Sequence, residues 1–263
     1  MRFPTLFVNH GGGPMPLLGR QEKIVEHMKD SVAKWLPMEK PSCIVVFSAH
    51  WESEPVKVTS AAKPELFFDY YGFPAETYKY RYPAPGAPEL AQRICKLIRA
   101  RGVECELDGK RGYDHGIFVP LMVMYPEADI PVVCVSLHGS LSAKVNMEVG
   151  AALASLRDEG ILILGSGYTF HNMEAFFHPS DATYKASQAF NDWLKEAMLS
   201  EGRVEKLIAW EKAPGARVCH PREEHLLPLL MAAAAAGETA TAELIFDVAA
   251  RPGDHAISAY RFQ

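Results

Sequence analysis

Histidines placed beside glycines, at the ends of apolar runs, carry the chemistry of this 263-residue chain. His10 follows TLFVN and precedes Gly11, Gly12, Gly13 and Pro14; His50 follows CIVVFSA and precedes Trp51; His171 follows ILIL and the turn Gly165 to Gly167. His115 lies in RGYDHGIFVPL, between a polar turn and an apolar stretch, and His225 in HPREEHLLPLL, ahead of leucines at helical spacing. Side chains just beyond the carboxyl ends of strands in an open α/β sheet line the crevice where ligands bind. Neutral imidazoles gathered there suit Zn, Fe(II), Cu or Ni and leave coordination positions open for small molecules. Glycines after His10 let the backbone turn sharply and a ligand approach closely. Any one of these histidines, taken alone, is more often a hydrogen-bonded core or surface residue; their repeated placement points to a shared metal site.

The elements that must position them follow from apolar patterning. Thr5 to Val8, Cys43 to Phe47, Ile130 to Leu137, Ile161 to Leu164, Ala240 to Phe246 and Ile257 to Phe262 read as strands. Leu90, Ile94, Leu97 and Ile98, and then Phe190, Trp193, Leu194, Ala197 and Met198, recur at helical spacing. The alternation predicts one α/β domain over residues 1–263, a layered α/β/α arrangement on a central mostly parallel or mixed sheet. Phe67 to Gly86 keeps neither period and reads as a long ordered, aromatic loop. Pro221 is expected in the first turn of a helix that carries His225 near its start, with Glu223 and Glu224 solvated in that same turn. Other signals are weaker: Ser166 lacks the spacing of a nucleophile turn, and the glycine run at 11 to 13 is no nucleotide loop. His27, His138, His178, His220 and His255 are left as surface, capping or supporting residues.

Charged residues make up 22% of the chain and the net charge is -5, so a basic face for nucleic acid or anionic membrane is not expected. No apolar run approaches the roughly 20 residues that cross a bilayer, and the first residues lack a secretory pattern, so a cytoplasmic protein is expected. The five cysteines form no CxxC pair, which argues against a disulfide scaffold or a thiolate zinc site.

Together NHGGGP, SAHWE, RGYDHGIFVPL, GSGYTFHNM and REEHLLPLL resemble, in order, the motifs of the class III extradiol ring-cleavage dioxygenases, the protocatechuate 4,5-dioxygenase B-subunit superfamily, in its DOPA 4,5-dioxygenase-like branch. The resemblance implies a single α/β domain with the metal at one edge of the sheet. It implies that His10, His50 and His225 ligate the metal, with a histidine where much of the superfamily has a glutamate. It further implies that His171 is the acid/base and, in this branch, a candidate fourth ligand, and that His115 contacts substrate or oxygen. Tyr168 and Tyr113 become candidates to pack on the substrate ring. The implied reaction opens a small aromatic diol with O2, with Fe(II) expected for activity and Zn as a bound or substituted metal. A zinc hydrolase on the same three histidines, and a non-catalytic metal-binding protein of the same fold, are the rival readings. The sequence leaves the oligomeric state open.

Overall fold

The computed structural model describes residues 2–263. Its eight strands are β1 (Thr5–Asn9), β2 (Cys43–Ser53), β3 (Val56–Thr59), β4 (Cys105–Asp108), β5 (Val132–His138), β6 (Ile161–Gly167), β7 (Ala242–Val248) and β8 (Ile257–Phe262). They form one sheet in the order β4-β3-β5-β2-β6-β1-β8-β7. β5, β2, β6 and β1 run parallel, whereas β8 is antiparallel to β1 and β7 antiparallel to β8. The sheet is therefore mixed, and its parallel centre is buried on both faces. That is why β1, β2 and β6 read as continuous apolar runs rather than alternating ones.

Helices cover both faces. α1 (Glu22–Trp35) and α3 (His115–Met124) pack together on one; α2 (Pro88–Ala100), α4 (Ala143–Ala152) and α9 (Leu227–Ala236) lie on the other. α5 (Met173–Phe177), α6 (Asp181–Leu199), α7 (Arg203–Ile208) and α8 (Ala216–Cys219) follow β6, with α6 packed on β7 and β8. Among the described residues no helix is long and apolar enough to cross a membrane.

Side chains alternate faces along β6, so Ser166 points toward α3 while Gly165 and Gly167 face α9. A Cβ on Gly165 would meet the Pro228 carbonyl oxygen at 2.3 Å, and one on Gly167 the His225 carbonyl oxygen at 2.2 Å. Glycine at both positions lets the segment from His225 into α9 lie directly on the strand, which fixes where His225 stands.

Three sequence expectations need correcting. β2 continues to Ser53, so His50 stands inside the strand, past a register shift between Phe47 and Glu52, rather than after its end. β3 and β4 were not expected because four-residue strands such as VKVT and CELD carry too few apolar positions to show a period. The helix after His225 begins at Leu227 with Pro228 in its first turn, so Pro221, Glu223 and Glu224 precede it. The aromatic loop holds one 3-10 turn, Ala75–Lys79.

Candidate metal centre

β1 and β6 end side by side next to β2, which runs on to Ser53, and the histidines meet over this edge of the sheet. The ring centroids of His10 lie 4.9 Å from His50, 5.4 Å from His115 and 5.4 Å from His225, and His50 and His115 are 3.9 Å apart. His171 stacks on His225 at 3.4 Å with the rings 12° from parallel. The structure thus brings together all five histidines singled out from the sequence.

Their Nδ1 atoms all look outward, to oxygen. His10 Nδ1 is 3.1 Å from Ser166 Oγ, His225 Nδ1 is 2.9 Å from Glu224 Oε1, and His115 Nδ1 is 2.8 Å from Asp69 Oδ1. His50 Nδ1 and His171 Nδ1 face the same two carboxylates at 3.7 Å from Asp69 and 3.5 Å from Glu224. An ionised carboxylate only accepts, so the bonds to Glu224 and Asp69 place the ring protons of His225 and His115 on Nδ1 and leave each Nε2 with its lone pair; His50 faces Asp69 at 3.7 Å, too far for a hydrogen bond.

The tautomer of His10 is set by a longer chain of causes. Pro120 lies inside α3 and has no N–H to give to the carbonyl of Gly116, four residues earlier. That carbonyl instead accepts the Ser166 hydroxyl proton. With its proton spent there, Ser166 Oγ is left to accept from His10 Nδ1.

His10 Nε2, left with its lone pair, lies only 3.1 Å from His50 Nε2. At that distance the lone pair of His10 is met either by a proton on His50 Nε2 or by a cation that both nitrogens share. A ligand atom from each of His10, His50 and His225 falls within 4.8 Å of the others, and His171 is outside that set. Burial, reinforced by the neighbouring histidines, holds His10 and His50 well below the usual imidazole range. Burial lowers His225 to about 4 against the opposing pull of Glu224. Neutral rings with converging lone pairs and second nitrogens held by oxygens are what a divalent transition metal requires.

Two carboxylates missed from sequence complete the site. Asp69, in the aromatic loop, accepts from both the ring and the backbone N–H of His115; burial pushes its carboxyl up, but those bonds outweigh it and hold it low. Glu224, expected in solvent, has a side chain only 13% exposed because it lies between His171 and His225. Burial again raises its carboxyl, and hydrogen bonds from both histidines more than reverse this, holding it well below the carboxylate range. Arg222 pairs with Glu52 of β2 and with Glu224, tying the His225 segment to the strand of His50. The remaining signal for either carboxylate was adjacency alone: Glu224 precedes His225, and Asp69 sits between aromatic residues of the loop.

Tyr168 stays at the site, its ring 6.3 Å from His10 and its backbone N–H donating to the His225 carbonyl. Tyr113 does not. Its ring is fully buried and its hydroxyl donates to the Val132 carbonyl, so it serves the core under the aromatic loop rather than the pocket. Arg111 lies against Phe67, with its guanidinium carbon 4.4 Å from the ring centroid, and donates to the His50 carbonyl and to buried Asp114.

Residues 4–259 match the family described as the catalytic LigB subunit of aromatic ring-opening dioxygenase. The chain is 41% identical to a 4,5-DOPA dioxygenase extradiol of Beta vulgaris over 92% of this chain and 90% of that one. It is 37% identical to a protein of the same name from Escherichia coli strain K12, over 87% and 83% of the two chains. The crystal structure of an uncharacterized Escherichia coli K12 protein superposes with a TM-score of 0.81 at 31% identity, covering all of both chains.

Proposed function

The chain belongs to the LigB family of catalytic subunits of aromatic ring-opening dioxygenases, and we propose that it opens the ring of a DOPA-like catechol with O2 at an Fe(II) held by His10, His50 and His225. It is a non-haem, metal-dependent extradiol dioxygenase acting on a catechol-like substrate. The observation that carries the ligand assignment is the pair of Nε2 atoms facing each other at 3.1 Å, each on a ring whose Nδ1 faces an oxygen.

When bound, the iron would hold diol and O2 in neighbouring positions and relay electron density from ring to oxygen. The protein's own groups do the rest. His171, stacked on His225 and backed by Glu224, has Nε2 free to take a phenolic proton and return it during ring opening. His115, locked by two bonds to Asp69 and 3.9 Å from His50 between ring centroids, keeps its Nε2 for a contact with substrate or oxygen. Tyr168 closes the side next to His10 with an aromatic ring.

DOPA itself comes from the names of the relatives, and a carboxylated or amino-bearing catechol is the substrate class proposed. Zinc binds the same imidazole set and would be expected to displace iron without supporting oxygen chemistry. All five cysteines are free and buried, in keeping with a reducing cytoplasm, which is the proposed location.

Anaerobic loading with Fe(II), followed by oxygen and a panel of catechols, tests the reading. One O2 consumed per catechol, with a yellow ring-opened product carrying both oxygen atoms, is expected. A protein that hydrolyses esters with bound zinc and consumes no oxygen with any catechol would overturn it.

A further inference from the structure

His50 reaches the site from an irregular stretch of β2, where side chains hold its backbone. β2 advances five residues from Phe47 to Glu52 while β5 beside it advances two, from Val135 to Leu137. The pairing of β2 with β6 ends at Ser48. Across this bulge the N–H of His50 donates to Ser48 Oγ at 3.2 Å, and its carbonyl accepts from Arg111 Nη2 at 3.0 Å. A bulge re-aims the side chain it carries, so whatever fixes its backbone fixes the direction of the ring.

One buried carboxylate joins the two holds. Asp114 accepts from Ser48 Oγ at 2.7 Å through Oδ1 and from Arg111 Nη2 at 3.1 Å through Oδ2. It is the N-cap residue of α3, where an aspartate ordinarily accepts from the first turn of the helix, yet its side chain makes no such bond. Both oxygens are committed instead to the groups that hold His50. Ser48 Oγ is left to accept the His50 N–H because its own proton goes to Asp114, and Arg111 Nη2 has one hydrogen for Asp114 and one for the His50 carbonyl. Burial, with Asp69 nearby, pushes the Asp114 carboxyl up against the pull of Ser48, His115 and Arg111. The guanidinium is covered by Phe67 at 4.4 Å and Trp51 at 5.5 Å from the ring centroids. A Cβ at Gly116 would meet Ser48 Oγ at 2.7 Å and the His50 ring at 3.0 Å, so glycine there lets α3 begin directly against both.

We propose that Ser48, Asp114 and Arg111 are positioning residues of the metal site, a clamp on the backbone of His50 that sets where its imidazole stands relative to His10 and His225. The proposal rests on the reading of His50 as a ligand. The other two proposed ligands are oriented through their rings, His10 by Ser166 and His225 by Glu224. His50 Nδ1 has Asp69 only at 3.7 Å, beyond hydrogen-bond reach, so the direction of its ring is left to its backbone. The clamp also gives work to the residues around the histidines in SAHW and RGYDHG, and through Phe67 it leans on the loop that carries Asp69.

Three measurements on Ser48→Ala, Arg111→Met, Arg157→Met and His50→Ala test this: chelator competition for zinc, the absorption bands of the cobalt(II)-loaded protein, and urea unfolding of the metal-free protein. Arg157 is the comparison, a buried arginine that donates to the carbonyls of Phe3, Ala236 and Phe262 at the opposite end of the sheet. Ser48→Ala and Arg111→Met are each expected to weaken zinc binding roughly tenfold and to shift the cobalt bands, as loss of a group that orients a ligating histidine does. Arg157→Met is expected to lose stability and keep both. Wild-type affinity with unshifted bands in either clamp variant overturns the inference, as does an equal loss of affinity in Arg157→Met, which would tie metal binding to stability alone. His50→Ala separates the clamp from the ligand reading. Metal lost there but held normally by the clamp variants defeats the clamp only; metal kept in His50→Ala defeats the ligand reading and the clamp with it.

Discussion

Glu224 Oε1 lies 2.9 Å from His225 Nδ1 and 3.5 Å from His171 Nδ1, so one carboxylate supports both a proposed metal ligand and the proposed acid/base. Asp69 repeats the arrangement on the other side, between His115 and His50. Each carboxylate bonds one ring and faces a second, which makes these acids as consequential as the imidazoles they hold.

Glu224→Gln should therefore weaken metal affinity by roughly 10–100-fold, the usual cost of losing a partner of a ligating histidine. Its neighbour Glu223, engaged with Arg217 at the surface, provides the control, and Glu223→Gln should leave metal affinity as it is. Competition with a chromophoric chelator measures both. Equal affinities for the two variants would contradict the role given to Glu224.

Ser166→Ala removes the acceptor of His10 Nδ1 and also leaves the Gly116 carbonyl, freed by Pro120, without its donor. A cost of about 1–3 kcal/mol in stability is expected for the orphaned buried groups. Pro120→Ala supplies Gly116 with a helix N–H, so the same Ser166 substitution should cost less in that background. Urea unfolding of the four proteins completes the double-mutant cycle. Strict additivity would show that the proline and the serine do not communicate.

His27, in α1, is buried against Phe246 with ring centroids 4.5 Å apart, and neither ring nitrogen has a partner. Burial pushes it down to about 4, with Asp30 pulling weakly the other way. Between the unfolded value near 6.5 and about 4, only the unfolded chain takes up this proton, so stability falls as pH falls through that window. The loss approaches 1.4 kcal/mol per pH unit, about 3 kcal/mol in all. His27→Phe should flatten the difference in unfolding free energy between pH 7 and pH 5 by about 2 kcal/mol. An unchanged difference would show that His27 is protonated in the folded state.

His10 and His171 were legible in the sequence because apolar runs and glycines precede or follow them, and the glycines of β6 before His171 prove to admit the His225 backbone onto that strand. The central strands and the two strongest helical segments were legible for the same reason of period. Glu224 and Asp69 were not, since a carboxylate in a turn is ordinarily solvated and only the fold shows that two histidines close over it. Tyr113 misled through nearness to His115: two residues apart at the entry of α3, one points to the core and the other to the pocket. Pro120 gave no hint of its effect, which depends on a serine 46 positions later in the chain.

The central claim is that one divalent ion sits among His10, His50 and His225, and X-ray absorption on the metal-loaded protein, paired with elemental analysis of His10→Ala, His50→Ala and His225→Ala, addresses it most directly. One ion per chain with imidazole nitrogens at about 2.0–2.1 Å, lost in each of the three variants, is the predicted result. Full metal content in any of the three, or a first shell without imidazole nitrogen, would contradict the account.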